Sequence, residues 1–229
     1  MEKQFVWRQL TESDMDEAKR FVYQYYSKQL PLAKIFRVKD EEMRKRNLEQ
    51  TELMIKNGTS YGCFQKLSGK FAAIIQCSVL LKDEAKTKLK CEENCSAELS
   101  ALSRFVGWML KDIFTDLNAE KLLVHCYGAV ADEFKRNGLL DTAGDLTKKS
   151  ALRLGCEYEV GLVVNAYAGR AAANQKEPVF TIREITFRDY VDPETGMKPN
   201  LELLPVHTYA KTVYRKVHPS TSCEHSSKL

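Results

Sequence analysis

The segment KLLVHCYGAVADEFKRNGLLDTAGDLTKKSALRLGCEYEVGLVVNAYAG, Lys121 to Gly169, decides the architecture. It opens with an apolar strand-like run, Leu122 to Val130, and a short polar turn holding Lys135, Arg136, Asn137 and Gly138. A helix-period segment follows and stops at Gly155; a second apolar run, Val160 to Val164, ends at Asn165 and Tyr167. Strand, donor-rich turn, helix and strand in this order can seat an anionic group on a helix N-terminus. The first N–H groups of a helix have no partner inside it and carry the positive end of its dipole. Asn137-Gly138 lets the main chain approach a ligand, and Lys135 and Arg136 add charge. The turn therefore reads either as a pyrophosphate cradle or as a plain strand-to-helix turn with solvated basic residues. It is neither a Walker loop nor a dinucleotide fingerprint.

Working outward, Gln4 to Leu10 reads as a first strand, and Thr11 to Asp14 as a capping box opening a helix. Met15, Ala18, Val22 and Tyr25 or Tyr26 recur along that helix at helical spacing, Pro31 ends it, and Leu30-Pro31-Leu32 forms a loop bordering a pocket. Lys39 to Lys56 is a charged amphipathic helix with Met43, Leu48 and Leu53 as its apolar positions. Tyr61 to Phe64 and Phe71 to Leu81 are strands, the second almost continuously apolar, as for a strand covered on both faces. Lys82 to Ser96 is a solvated, lysine-rich connection, and Ser100 to Leu117 one long helix. Downstream, Ala168 to Ala173 favours helix, and Val179 to Phe187 and Thr208 to Val217 are the last strands, joined by a long loop. The order β-α-α-β-β-α-β-α-β-α-β-β predicts an α/β, three-layer fold with a mixed central sheet and helices on both faces. A single domain is expected over residues 1–217, with a flexible tail over 218–229.

With 44% hydrophobic and 29% charged residues, a 229-residue chain can build one sizeable core. A net charge of +4 without a dense basic run does not point to nucleic acid. No apolar run approaches the ~20 residues of a membrane span. The seven cysteines are read as reduced and buried, in an intracellular protein. Cys91 and Cys95 lack a second ligand pair, so no metal site is expected. Ser227-Lys228-Leu229 matches a peroxisomal address, so the expected location is peroxisomal, with the cytoplasm as the alternative, and the import receptor is an expected partner.

The order of elements and the turn together resemble the GCN5-related N-acetyltransferase superfamily. Its acetyl-CoA motif, Q/R-x-x-G-x-G/A after the fourth strand, is matched by Lys135-Arg136-Asn137-Gly138-Leu139-Leu140; Lys135 is a conservative change, Gly138 holds the central glycine, and Leu140 departs from the last position. ALRLGCEY and Asn165-Ala166-Tyr167 are similar to the helix end and fifth-strand end of that family, and VFTIREITFRDYVDPETGMKP followed by LLPVHTYAKTVYRKV resembles the C-terminal half of invertebrate arylalkylamine-type enzymes.

The resemblance implies a splay between strands 4 and 5 and acetyl-CoA as co-substrate, bound by residues 135–140 with Ala129, Val130 and Asn165. A small, possibly arylalkyl, amine would attack the thioester directly in a ternary complex. Tyr167 is the candidate acid for the leaving thiolate, since a phenol stays protonated at neutral pH. Leu30, standing where related enzymes carry a glutamate, and His207 are candidates to border the amine. His125 lies out of phase with the catalytic histidines of vertebrate relatives and reads as structural. Leu140 and the absent glutamate suit a second reading: a CoA-binding or scaffold protein that keeps the fold without turnover.

Overall fold

The computed structural model describes residues 4–88, 95–175, 177–203 and 208–217. Its strands are β1 (Phe5–Gln9), β2 (Ser60–Gln65), β3 (Phe71–Leu81), β4 (Lys121–Val130), β5 (Tyr158–Val163), β6 (Phe180–Thr186) and β7 (Tyr209–Lys216). The helices are α1 (Met15–Tyr25), α2 (Pro31–Ile35), α3 (Asp40–Lys56), α4 (Lys82–Lys88), α5 (Ala97–Met109), α6 (Ile113–Leu117), α7 (Leu139–Arg153) and α8 (Ala166–Ala173). The strands form one sheet in the order β1-β2-β3-β4-β5-β7-β6, antiparallel throughout except for the central β4–β5 pair. That pair is parallel because α7 carries the chain back across the sheet between them.

Alternation assigns the two faces. Leu122 and Val124 of β4 pack with Leu110, Ile113, Phe114 and Leu117 around α6, whereas Leu123 packs with Ala151 and Cys156 at the end of α7. Thr212 Oγ1 on β7 donates to the Met109 carbonyl of α5 at 2.7 Å, while Arg215, three residues on, donates to the Gly144 carbonyl of α7 at 3.0 Å. Helices α1, α2, α3, α5 and α6 thus cover one face, and α7 and α8 the other. The largest aromatic cluster sits on the first face, where Phe36, Phe105, Phe187 and Tyr190 are buried together. Beside it, Arg104 holds the buried Asp192 through two bonds of 2.7 Å, fastening the loop after β6 to α5.

Several local expectations are corrected. The long helix expected over Ser100–Leu117 is two, α5 and α6, because Asp112 adopts a left-handed backbone (φ 62°) that no helix accommodates. The connection expected after Leu81 begins as α4. Pro31 does not end a helix in a loop; it starts α2, where its missing N–H costs nothing, and Leu30 is buried in the core before it. The buried stripe of α3 runs through Met43, Asn47, Thr51 and Met54, while Leu53 is exposed. Asn47 and Thr51 belong inside because Tyr127 Oη, Ser27 Oγ and Gln76 Oε1 meet them there. Thr11 to Asp14 does form a capping box, with Asp14 Oδ2 accepting from the Thr11 N–H at 2.9 Å, although it opens a short 3₁₀ turn ahead of α1. Cys63, Cys77, Cys126 and Cys156 are free, but Cys95 is disulfide-bonded; it lies in the connection before α5, outside the apolar strands that shelter thiols. No helix among the described residues is long and apolar enough to cross a membrane.

One buried charge network ties the centre of the sheet to α7. His125 Nε2 on β4 lies 3.1 Å from Glu159 Oε1 on β5, and Glu159 Oε2 receives the Arg215 guanidinium of β7, with Nε at 2.8 Å. Burial opposes the Glu159 charge, but His125, Arg215 and Thr147 outweigh it and hold the carboxyl below its ordinary range. Burial likewise opposes the imidazolium, and Cys77 and Glu159 outweigh it, pushing His125 up to about 10. The stabilisation from Glu159 is complete above its unfolded pKa and is lost as pH falls through the folded value. That from His125 is complete below about 6.5 and is lost as pH rises toward its folded value. Glu159→Gln should cost about 3–5 kcal/mol in urea unfolding by leaving Arg215 buried without its charge partner. Between pH 6 and 9 the wild-type urea midpoint should fall more than that of His125→Gln.

Candidate functional site

The sheet parts at its centre. β4 and β5 pair only from Leu122 opposite Tyr158 to His125 opposite Gly161. In the β3–β4 ladder, Gln76 pairs with Tyr127 while Cys77 pairs with His125, so Cys126 is an extra residue, a β-bulge. Beyond it β4 continues with β3 alone, while β5 continues with β7. The Ala131 N–H bonds to the Ala72 carbonyl at 2.9 Å. Alternation back from that pair turns the main-chain groups of Ala129 toward β3 and those of Gly128 and Val130 toward the gap. Gly128 is exposed although it lies on the fourth of seven strands, where both faces would ordinarily be covered.

The mouth of the gap on the α7 side is the turn at the start of α7. The Lys135 N–H is used by the Asp132 carbonyl, and its ammonium pairs with Asp132 Oδ1 at 2.5 Å. Arg136 and Gly138 both take left-handed backbone (φ 69° and 63°), bending the chain on either side of Asn137. The Asn137 side chain steadies the bend by donating to the Phe134 carbonyl at 3.0 Å. As a result, the N–H groups of residues 136–140 find no acceptor among the described residues, leaving a run of main-chain donors at the positive end of a fifteen-residue helix. Leu139 is buried, whereas the Leu140 side chain lies over Gly128, its Cδ1 3.7 Å from where a Cβ on that glycine would stand.

On the opposite face, helices α1, α3 and α5 close around the bulge with a polar cluster. Tyr26 Oη donates to the Cys126 carbonyl at 3.2 Å, and its ring lies 4.5 Å from that of Tyr127. Tyr127 Oη donates to Asn47 Oδ1 at 2.9 Å, and Asn47 Nδ2 to Ser27 Oγ at 2.9 Å. Arg46, beside Asn47 on α3, donates from Nη1 to Ser103 Oγ of α5 at 2.9 Å. Burial pushes the Tyr26 and Tyr127 phenols above their ordinary range and the Cys126 thiol up to about 12, although Arg46 pulls each of the three down. All three hold their protons at neutral pH.

The residues singled out from sequence distribute as follows. Val130 and residues 136–140 border the gap and its turn, together with Lys135, while the main chain of Ala129 is taken by β3. Asn165 caps α8, its Oδ1 accepting from the Ala168 N–H at 2.8 Å. Tyr167 lies in the first turn of α8, and its side chain is outside the described residues, as are His207 and Ser227 to Leu229. Leu30 belongs to the core. His125 faces α7, away from Tyr26 and Tyr127, as its phase along the strand predicts. The sequence does not mark Gly128, Cys126, Tyr127 or Arg46: one extra residue in an apolar run disturbs no alternation, and Arg46 sits within Arg44-Lys45-Arg46. The polar residues Asn47 and Thr51 four apart were the legible signal. Among the described residues no cluster of three or more metal-ligating side chains exists.

The overall fold is similar to that of solved structures. Arylalkylamine N-acetyltransferase 2 from Aedes aegypti superposes with a TM-score of 0.78 over 94% of this chain and 100% of that one, at 15% identity. The chain has the fold of the GCN5-related N-acetyltransferases. The Drosophila melanogaster polyamine N-acetyltransferase that forms N-acetylagmatine is similar, with a TM-score of 0.77, 93% and 99% coverage and 13% identity. A more distant match is Arabidopsis thaliana NAA60 in complex with acetyl-CoA, at a TM-score of 0.51, 93% and 98% coverage and 12% identity. No family model and no curated protein sequence matches the chain.

The state of Cys126 can be checked directly. With its thiol pushed up to about 12, it should react with iodoacetamide at pH 7.5 on the order of a thousandfold more slowly than a free thiol, read by peptide mass spectrometry.

Proposed function

We propose that the protein is an acetyl-CoA-dependent N-acetyltransferase that acylates a small amine by direct attack in a ternary complex. The observation that carries this reading is the gap itself: a bulge at Cys126, strands that separate beyond it, and inward-turned main-chain groups of Gly128 and Val130 leading to five N–H groups at residues 136–140 that are unpaired among the described residues. In this reading the pyrophosphate takes those donors, the pantetheine arm lies along β4, and the thioester reaches the bulge. The acceptor is placed on the α1/α3/α5 side of the bulge, across the sheet from the donor-lined turn of α7.

The chemistry asked of the chain is modest. The amine nitrogen forms a bond to the thioester carbonyl, negative charge collects on that oxygen, and the C–S bond then breaks to release CoA thiolate. Main-chain N–H groups of Gly128 and Val130 are suited to the developing oxyanion, being fixed by the β3–β4 ladder before substrate arrives. Tyr167 is the proposed proton donor to the thiolate. Tyr26, Tyr127 and Cys126 keep their protons and His125 is engaged by Glu159, so the ammonium loses its proton to water entering at exposed Gly128.

Release of free thiol from acetyl-CoA across a panel of aryl and alkyl amines tests the reading. Amine-dependent release is expected, and CoA binding with no turnover of any amine would favour the scaffold reading, which Leu140 lying over Gly128 supports. Gly138→Val forces a β-branched residue into left-handed backbone within the donor run and should weaken CoA binding by at least about tenfold in calorimetry. Tyr167→Phe should lower kcat by about 10–100-fold with little change in the KM for acetyl-CoA.

A further inference from the structure

The bulge has a cation beside it that the acetyl-transfer reading does not use. Arg46 is half-buried on α3, its one side-chain hydrogen bond goes to neutral Ser103, and it forms no ion pair among the described residues. Other sheltered arginines are neutralised: Arg104 holds Asp192, Arg215 holds Glu159, and even the more open Arg8 grips Asp14 through two bonds of 2.8 and 2.7 Å. Of the acids one turn away on its own helix, Glu49 is exposed and makes no ion pair with it, and Glu42 is spent elsewhere, with Oε1 accepting from the Ser96 N–H at 3.0 Å; its Oε2 is buried without any hydrogen-bond partner and so does not reach Arg46. Arg46 bears electrostatically on Tyr26, Cys126 and Tyr127, the three groups around the bulge. A cation that has lost part of its hydration and gained no counter-charge is destabilising unless a ligand supplies one.

We propose that Arg46 is the specificity-determining contact for an acceptor that carries a carboxylate as well as its amine, so that the substrate class is amino acids and not diamines or polyamines. Assigning this contact to an acyl acceptor rests on the acetyl-transfer reading; the anion contact itself is read separately by binding. A guanidinium with one N–H fixed on Ser103 keeps others for a planar carboxylate, and such charge-assisted pairs are the strong ones in a partly desolvated setting. The same charge repels the distal cation of a diamine at short range. The paired rings of Tyr26 and Tyr127 lie on the same face of the sheet and suit an aromatic or long aliphatic side chain. The proposal sets this chain apart from the Drosophila enzyme that forms N-acetylagmatine, although the two share a fold.

The experiment pairs each amino acid with its decarboxylated counterpart: L-tyrosine with tyramine, and L-arginine with agmatine. Binding to the CoA-loaded protein is measured by calorimetry, then turnover with acetyl-CoA. The carboxylated member of each pair is expected to bind about tenfold tighter or better, as one charge-assisted contact supplies. Arg46→Gln should abolish that ratio, Arg46→Lys should keep part of it, and both should melt close to wild type. If Arg46→Gln melts early, Arg46→Lys carries the comparison, with a severalfold drop in the ratio. Equal or weaker binding of the carboxylated members, no binding of any of the four, or a ratio unchanged in the variants overturns the proposal. Carboxylate preference in binding without turnover would sustain the Arg46 contact and sink acetyl transfer. Turnover that ignores the carboxylate would do the reverse.

Discussion

The structure depends on a constraint at one residue. By adding Cys126 to β4 without a partner in β3, the chain shifts the phase of everything after it and ends the hydrogen bonding between β4 and β5. A sheet interior normally leaves no main-chain group idle. Here the unpaired groups of Gly128 and Val130 face an opening, and the turn at residues 136–140 continues that row of donors. The site is built from backbone, held by elements whose side chains are busy elsewhere, which is why so divergent a sequence can carry it.

The side chains around the bulge do a second job. Tyr26 caps the Cys126 carbonyl, Tyr127 reaches Asn47, and Asn47 reaches Ser27, so α1 and α3 are fastened to the sheet at the point where it loses its own pairing. Polar residues in the buried stripe of α3 are costly unless each finds a partner. Their partners are what position the ring pair and fix the stretch of α3 that carries Arg46, one residue before Asn47. Packing and specificity are coupled through that helix.

Much of this was legible from residues alone. The alternation of apolar runs and helical spacing mark the seven strands of the sheet and the major helices, and the turn after β4 reads as a run of available donors. Three things were hidden for physical reasons. A single-residue bulge leaves the hydrophobic run of Leu122 to Val130 intact. The left-handed backbone at Asp112 and Arg136 carries no glycine to announce it. Arg46 has no acidic partner among the described residues, and an absence in three dimensions has no signature in one. Leu53 misled for the opposite reason: helical spacing admits two stripes on α3, and buried hydrogen-bond partners chose the more polar one.

The network of His125, Glu159 and Arg215 has a mechanical meaning. It spans β4, β5, β7 and α7 just before the strands part, so it works as a rivet at the apex of a wedge. The four residue pairs of β4 and β5 are a short seam for the middle of a seven-stranded sheet. Whatever sets the charge of that rivet therefore sets how far the seam can run, and with it the depth and angle of the opening on which the donor-lined turn looks.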